Sequence, residues 1–178
     1  YIYDLILEEL INLTDDWFTE DHVSWNPDGL DLLFISDRGE YLNEKEPQSK
    51  YAHSITHTDI YSISRGSGKI SQITNTVWDE SYPVMTTDRN LAFVSDQTGI
   101  NNIYILNDNL SQPQAITNVL TGISQLNWNA DYSQLVFSGF QESGYDVYLF
   151  VNPLDQLSKN YNLLQLDWVN NPKSSELK

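Results

Sequence analysis

Leu91-Ala92-Phe93-Val94-Ser95-Asp96-Gln97-Thr98-Gly99-Ile100-Asn101-Asn102-Ile103-Tyr104-Ile105-Leu106 decides how this chain is read. A short apolar run, a polar turn holding one glycine and a second apolar run follow one another. Versions of the same stretch stand on either side. Upstream is Leu33-Phe34-Ile35-Ser36-Asp37-Arg38-Gly39, rejoined after an insertion by Asp59-Ile60-Tyr61. Downstream is Leu135-Val136-Phe137-Ser138-Gly139-Phe140, followed by Gly144-Tyr145-Asp146-Val147-Tyr148. A unit met three times marks a repeat array, and the other residues fall into its register.

Four anchors fix that register. The pairs Ile60-Tyr61, Ile103-Tyr104 and Val147-Tyr148 lie 43 and 44 residues apart. The pairs Leu13-Thr14, Ile73-Thr74 and Ile116-Thr117 lie 60 and 43 apart. Eleven residues after each Thr comes a large apolar side chain (Trp25, Met85, Trp128), and three further on an aspartate (Asp28, Asp88, Asp131). The first spacing is long because residues 40–58 are inserted, a polar segment that is expected to be a surface loop.

Each unit reads as four strands. In the first unit a strand runs into the turn Trp25-Asn26-Pro27-Asp28-Gly29, where proline sets φ and glycine takes the positive-φ position. The two middle strands carry nearly continuous apolar runs, which signal burial on both faces. The fourth, as in Lys69-Ile70-Ser71-Gln72-Ile73-Thr74, is more polar, as an outer edge strand should be. Four-stranded units of about 40–45 residues with both faces covered describe the blades of a β-propeller. The fold class is therefore all-β: a propeller fragment over residues 1–157. It comprises a half blade at 1–14 and blades at 22–76, 80–118 and 123–168. The outer strand of the last blade is best sought at 162–168, and 169–178 reads as linker. An arc of this kind leaves the face of a terminal blade bare.

The residues of the first unit carry a family resemblance. Trp25-Asn26-Pro27-Asp28-Gly29, continuing to Leu33-Phe34-Ile35-Ser36-Asp37-Arg38-Gly39, resembles the W-S-P-D-G…F-x-S-D-R-x-G signature of TolB-type propeller repeats. Asp59-Ile60-Tyr61 and Ile73-Thr74 match the D-I-Y and L-T elements that follow it. The second and third units depart at the turn, where Thr86-Thr87-Asp88-Arg89 and Asn129-Ala130-Asp131-Tyr132 keep only the aspartate. The resemblance implies a WD-like repeat protein of the periplasm or cell envelope that binds protein partners. Similar repeats also form the propellers of prolyl-oligopeptidase-like and tricorn-like proteases, and of envelope proteins that carry a metallopeptidase-like domain or an outer-membrane barrel.

Composition narrows the partners. A net charge of −16 with only nine Lys and Arg in 178 residues excludes the basic face that nucleic acid demands. It disfavours anionic lipid as well. The chain has no cysteine, so disulfides, thiolate nucleophiles and cysteine-bound zinc are ruled out. No apolar run approaches the roughly 18 residues of a membrane-spanning helix. Beginning at Tyr1, the chain is expected to be part of a longer one.

Catalytic constellations are not evident. There is no Gly-x-Ser-x-Gly elbow, and the histidines are three: His22, His53 and His57. His53 and His57 have helical zinc spacing, but the residues between them lack a glutamate and lie in a loop, so they are expected to be surface histidines. The acidic turn residues Asp15, Asp16, Glu20, Asp21, Asp28, Asp31 and Asp37 lack calcium-loop spacing and are expected to cap backbone amides. No catalytic residue, metal or cofactor is assigned.

The loops joining the last strand of one blade to the first of the next remain as candidates. They hold Trp17, Phe18, Glu20 and Asp21, then Trp78, Asp79 and Glu80. Aromatic side chains beside carboxylates on a rigid frame suit a binding rim. Packing of Trp17 or Trp78 between adjacent blades is the other reading. The expected function is a non-catalytic scaffold for a protein or peptide, the alternative being an accessory propeller that gates or orients substrate for a peptidase.

Overall fold

The computed structural model describes residues 1–159 and 162–170. Strands β1 (Ile2–Asp4) and β2 (Glu9–Ile11) form a two-stranded sheet. Strands β3 (Glu20–Trp25), β4 (Asp31–Ser36), β5 (Asp59–Ser64) and β6 (Ile70–Gln72) form the first four-stranded sheet, in sequence order. The second holds β7 (Glu80–Met85), β8 (Leu91–Ser95), β9 (Asn102–Leu106) and β10 (Gln114–Ala115). The third contains β11 (Ile123–Trp128), β12 (Gln134–Gln141) and β13 (Gly144–Val151). All pairings are antiparallel, and each sheet is a meander. The first strands of the three large sheets lie against one another, β3 on β7 and β7 on β11. A row of innermost strands with meanders radiating outward is a propeller arc.

Apolar runs become inter-blade cores. Leu33, Ile35 and Ile60 of the first blade meet Leu91, Phe93 and Tyr104 of the second in one buried cluster. Ala92, Val94, Ile103 and Ile105, from the opposite face of the second blade, join Ile123, Leu126 and Leu135 of the third. The alternating side chains of β8 and β9 are thus buried on both faces, so almost no polar residue can stand there. Within each blade an aromatic pair marks the same rung: Phe34 on Tyr61, Phe93 on Tyr104 and Phe137 on Tyr148.

The arc's ends differ from its middle. Tyr145, Val147, Leu149 and Val151 of β13 are exposed, as are Leu5, Ile6 and Leu10 of the two-stranded sheet and its turn. Trp128 donates its indole N–H to the Val84 carbonyl of the preceding blade (3.4 Å), whereas Trp25, at the equivalent position two blades earlier, is exposed.

The expected outer strand at 162–168 is corrected by the structure. A 3-10 turn at Pro153–Ser158 follows β13, and residues 162–168 lie against the loops of the second blade. Leu164 N–H donates to Asn118 Oδ1 (2.9 Å) and Leu166 N–H to the Thr98 carbonyl (2.9 Å); a short helix, α1 (Asp167–Asn170), follows. Leu166 and Trp168 lie so close to Gly99 that an added Cβ there would sit 3.0 Å from both. The patch Leu163, Leu164, Leu166 and Trp168 is apolar at too many successive positions for an edge strand. It clamps loops instead. Of the 169–178 linker, residues 171–178 lie outside the described residues.

The turn after the first strand keeps one backbone conformation with different residues. Gly29, Arg89 and Tyr132 stand at equivalent positions with φ of 69°, 60° and 59°. Only glycine adopts this region without a Cβ penalty. The Arg89 side chain pairs with Asp108 at an exposed site, a contact worth little. Arg89→Gly is therefore expected to raise stability by about 0.5–1 kcal/mol in urea denaturation, the relief of strain exceeding the added freedom of the unfolded chain.

Candidate functional site

Two seams are tied by the threonine that follows a blade's last strand. Thr74 Oγ1 accepts the Ile60 N–H (2.8 Å) and donates to Glu80 Oε2 (3.1 Å), the first residue of the next blade. Thr14 donates to Glu20 Oε2 (3.1 Å) in the same way. At the next seam Thr117 accepts the Ile103 N–H (2.8 Å) but donates within its own blade, to Asn102 Oδ1 (3.0 Å), because Ile123 stands where the other seams have glutamate. The aspartates that close the second strands pin the connecting loops. Asp37 Oδ1 accepts the Thr19 N–H (2.9 Å), and Asp96 Oδ1 the Asp79 N–H (3.0 Å).

At the first seam the space beside Glu20 holds a guanidinium. Arg38 is wholly buried, and its Nη2 donates to Asp16 Oδ2 (3.1 Å) and to Glu20 Oε1. The guanidinium carbon lies 5.2, 5.7 and 5.8 Å from the ring centres of Phe18, Phe34 and Tyr61. Burial and the Asp16 charge push the Glu20 carboxyl up, and Arg38 opposes them. The 40–58 insertion covers this cage. Tyr41 stacks on Phe18 at 5.7 Å, His53 packs against Trp17 and Phe18, and the Trp17 N–H donates to the Lys45 carbonyl (2.8 Å).

The second seam repeats the cage with other contents. Thr76 replaces Asp16, Trp78 replaces Phe18, Phe93 and Tyr104 replace Phe34 and Tyr61, and Gln97 replaces Arg38. Only the short turn between β8 and β9 stands where the insertion stood. Gln97 is exposed and lines the recess rather than being enclosed as Arg38 is. A recess of about 210 Å³ remains, walled by Thr76, Trp78, Glu80, Phe93, Ser95 and Gln97. Glu80 is 1% exposed and is held by Thr74 and by Thr76 Oγ1 (2.6 Å). Ala115 stands where Gln72 reaches the Tyr61 hydroxyl (3.3 Å), and the buried Tyr104 hydroxyl has no hydrogen-bond partner among the described residues.

Burial, with the neighbouring Asp59 carboxylate, pushes Glu80 up to about 8. Between about pH 4.5 and 8 the folded protein therefore binds more proton at Glu80 than the unfolded chain does. Stability contributed by that proton is complete below about pH 4.5 and falls as pH rises through about 8. Glu80→Gln, which holds two hydrogens permanently, is expected to flatten this decline and to exceed the natural protein in stability at pH 9. Urea denaturation from pH 5 to 9 checks it.

The candidate binding residues separate by burial. Phe18 and Glu80 are interior, and Glu20 is largely so, at the hearts of their seams. Trp17 is 37% exposed and packs on Phe18 and His53, Asp21 faces solvent, and Trp78 is half-buried on the recess wall. Asp79 is exposed, its Oδ1 accepting the Thr58 N–H (3.2 Å) and facing His57 Nδ1 (3.2 Å). His53 is corrected from surface to interior: it is enclosed by the aromatic lid, 3.4 Å from Asp37. It and His57 face different carboxylates, because their loop does not turn like a helix. Among the described residues no cluster could hold a metal ion. The turn acids Asp28 and Asp131 accept backbone N–H groups at 2.8 and 3.0 Å.

Two features escaped the sequence reading. The Arg38/Gln97 and Asp16/Thr76 exchanges were visible once the units are aligned, but their partnership in space was not. The second is a bulge in the first strand of every blade, at His22, Tyr82 and Gln125, with φ of 50°, 53° and 59°. It stacks His22 on Tyr82 at 3.7 Å between ring centres. No glycine signals it, so composition gives no cue.

Comparison with solved structures agrees with this architecture. A TolB protein of Agrobacterium tumefaciens matches 79% of this chain with a TM-score of 0.62 at 18% identity, and the match spans 48% of that protein. TolB from Acinetobacter baumannii matches 74% with a TM-score of 0.52 at 17% identity, over 29% of its own length. No protein-family model and no curated protein matches the sequence. The class defined is a partial β-propeller. Its fold is TolB-like, and the chain spans less than half of either relative.

Proposed function

We propose that this chain is a non-catalytic protein- or peptide-binding scaffold, one arc of a TolB-like propeller working in the periplasm or cell envelope. The observation that carries the reading is the second inter-blade loop. There half-buried Trp78 and exposed Asp79 stand side by side on a frame pinned by Asp96, Thr76 and Thr58. Aromatic side chains held rigidly beside a carboxylate lose little entropy on docking. The side chains with chemical potential serve structure: His53 sits against Asp37, Glu80 is tied to two threonines, and Asp59 accepts the Thr76 N–H at 3.1 Å. The surplus of negative charge suits a basic partner over nucleic acid.

Capture experiments with the intact protein test the reading. Trp78→Ala and Asp79→Ala are each expected to weaken retention of a co-purifying partner by tenfold or more, with thermal stability little changed. Retention by both variants equal to that of the unaltered protein removes the loop from the binding surface.

A further inference from the structure

We propose that the recess at the second seam receives the guanidinium of an arginine side chain carried by a protein partner. The proposal rests on the scaffold reading and names the site and the chemistry of what it binds.

The molecule itself shows what such a cage holds. At the first seam a glutamate beginning a first strand and a ring of aromatic side chains enclose the chain's own Arg38. The second seam keeps the glutamate, as Glu80, and the aromatic positions, as Trp78, Phe93 and Tyr104. It lacks the arginine, and it lacks the insertion that closes the first cage from outside. Both losses act in the same direction, vacating the space and giving a partner access to it. The void of about 210 Å³ is ample for a guanidinium group.

Charge agrees with shape. Glu80 and the adjacent Asp59 are both buried, and among the described residues the group paired with Asp59 is the ring of His57, its Nε2 3.8 Å away. An incoming guanidinium would donate to Glu80 Oε1, the oxygen Arg38 reaches on Glu20, with Thr76 Oγ1 yielding that position and the Glu80 carboxyl releasing its proton to solvent as the pair forms. Planar cations also favour the faces of Trp78 and Phe93, Trp being the better partner. Lysine fits less well, since a compact ammonium makes neither the forked hydrogen bonds nor the stacking.

The test uses the intact ¹⁵N-labelled protein and the tripeptide acetyl-Ala-Arg-Ala-amide, followed at the Trp78 indole N–H. A second peptide carries citrulline, which has the shape of arginine without its charge. The arginine peptide is expected to shift the Trp78 signal saturably and the citrulline peptide to bind at least about tenfold more weakly. Glu80→Gln is expected to lose a comparable factor. Because that variant also alters the seam, a second one is decisive: Thr76→Asp with Gln97→Arg supplies the first seam's groups and fills the recess from within. It is expected to fold and to bind no arginine peptide. Equal affinity for the two peptides, or undiminished binding by the double variant, overturns the proposal. If the double variant still captures a partner that Trp78→Ala and Asp79→Ala release, the scaffold reading stands and the arginine site falls.

Discussion

Arg38→Met is expected to destabilise the intact protein by about 3–5 kcal/mol, the range seen when one member of a buried ion pair is removed. The guanidinium is wholly buried, and its two carboxylate partners are themselves mostly shielded, the Asp16 side chain 4% exposed and that of Glu20 20%. Methionine restores much of the volume among Phe18, Phe34 and Tyr61, so the loss reports two carboxylates left without a cation. Adding Asp16→Asn to Arg38→Met should then recover part of the stability. A fixed denaturant slope with a lowered midpoint would locate the effect in the native state.

Phe93→Ala is expected to cost a similar 3–5 kcal/mol, for a different reason. Phe93 is fully buried at the centre of the cluster between the first and second blades, with Tyr104 stacked 6.1 Å away and Leu33, Ile35 and Ile60 across the seam. Strands β4, β5, β8 and β9 all bury side chains there, so little can collapse into the void. The void would also open into the recess beside Glu80. Phe93→Leu keeps most of the volume and should cost much less.

How far these features were legible depends on what encodes them. Continuous apolar runs at β4 and β8, recurring in register, can only be strands buried on both faces, so the sheets could be read directly. The turn at Asn26-Pro27-Asp28-Gly29 was legible because its residues are chosen for their backbone angles. The outer strand of the third blade was not, since Leu163, Leu164, Leu166 and Trp168 look equally apolar whether they extend a sheet or clamp a loop; contact with Gly99 decides it. The interior positions of Phe18 and Glu80 were hidden for a related reason. A loop residue beside a carboxylate reads as exposed until its threonine and arginine partners are placed. The 40–58 insertion looked like an ordinary polar loop, yet Tyr41 and His53 within it close the Arg38 cage.

Face-to-face stacking of the units is the claim on which cage, recess and scaffold all depend, and a double-mutant cycle across the seam measures it most directly. Ile60→Val in the first blade and Phe93→Leu in the second, singly and together, should show a coupling of about 0.5 kcal/mol or more, because the two residues share one core. Additivity within about 0.3 kcal/mol would mean that the blades do not meet there, and would contradict the stacked arrangement.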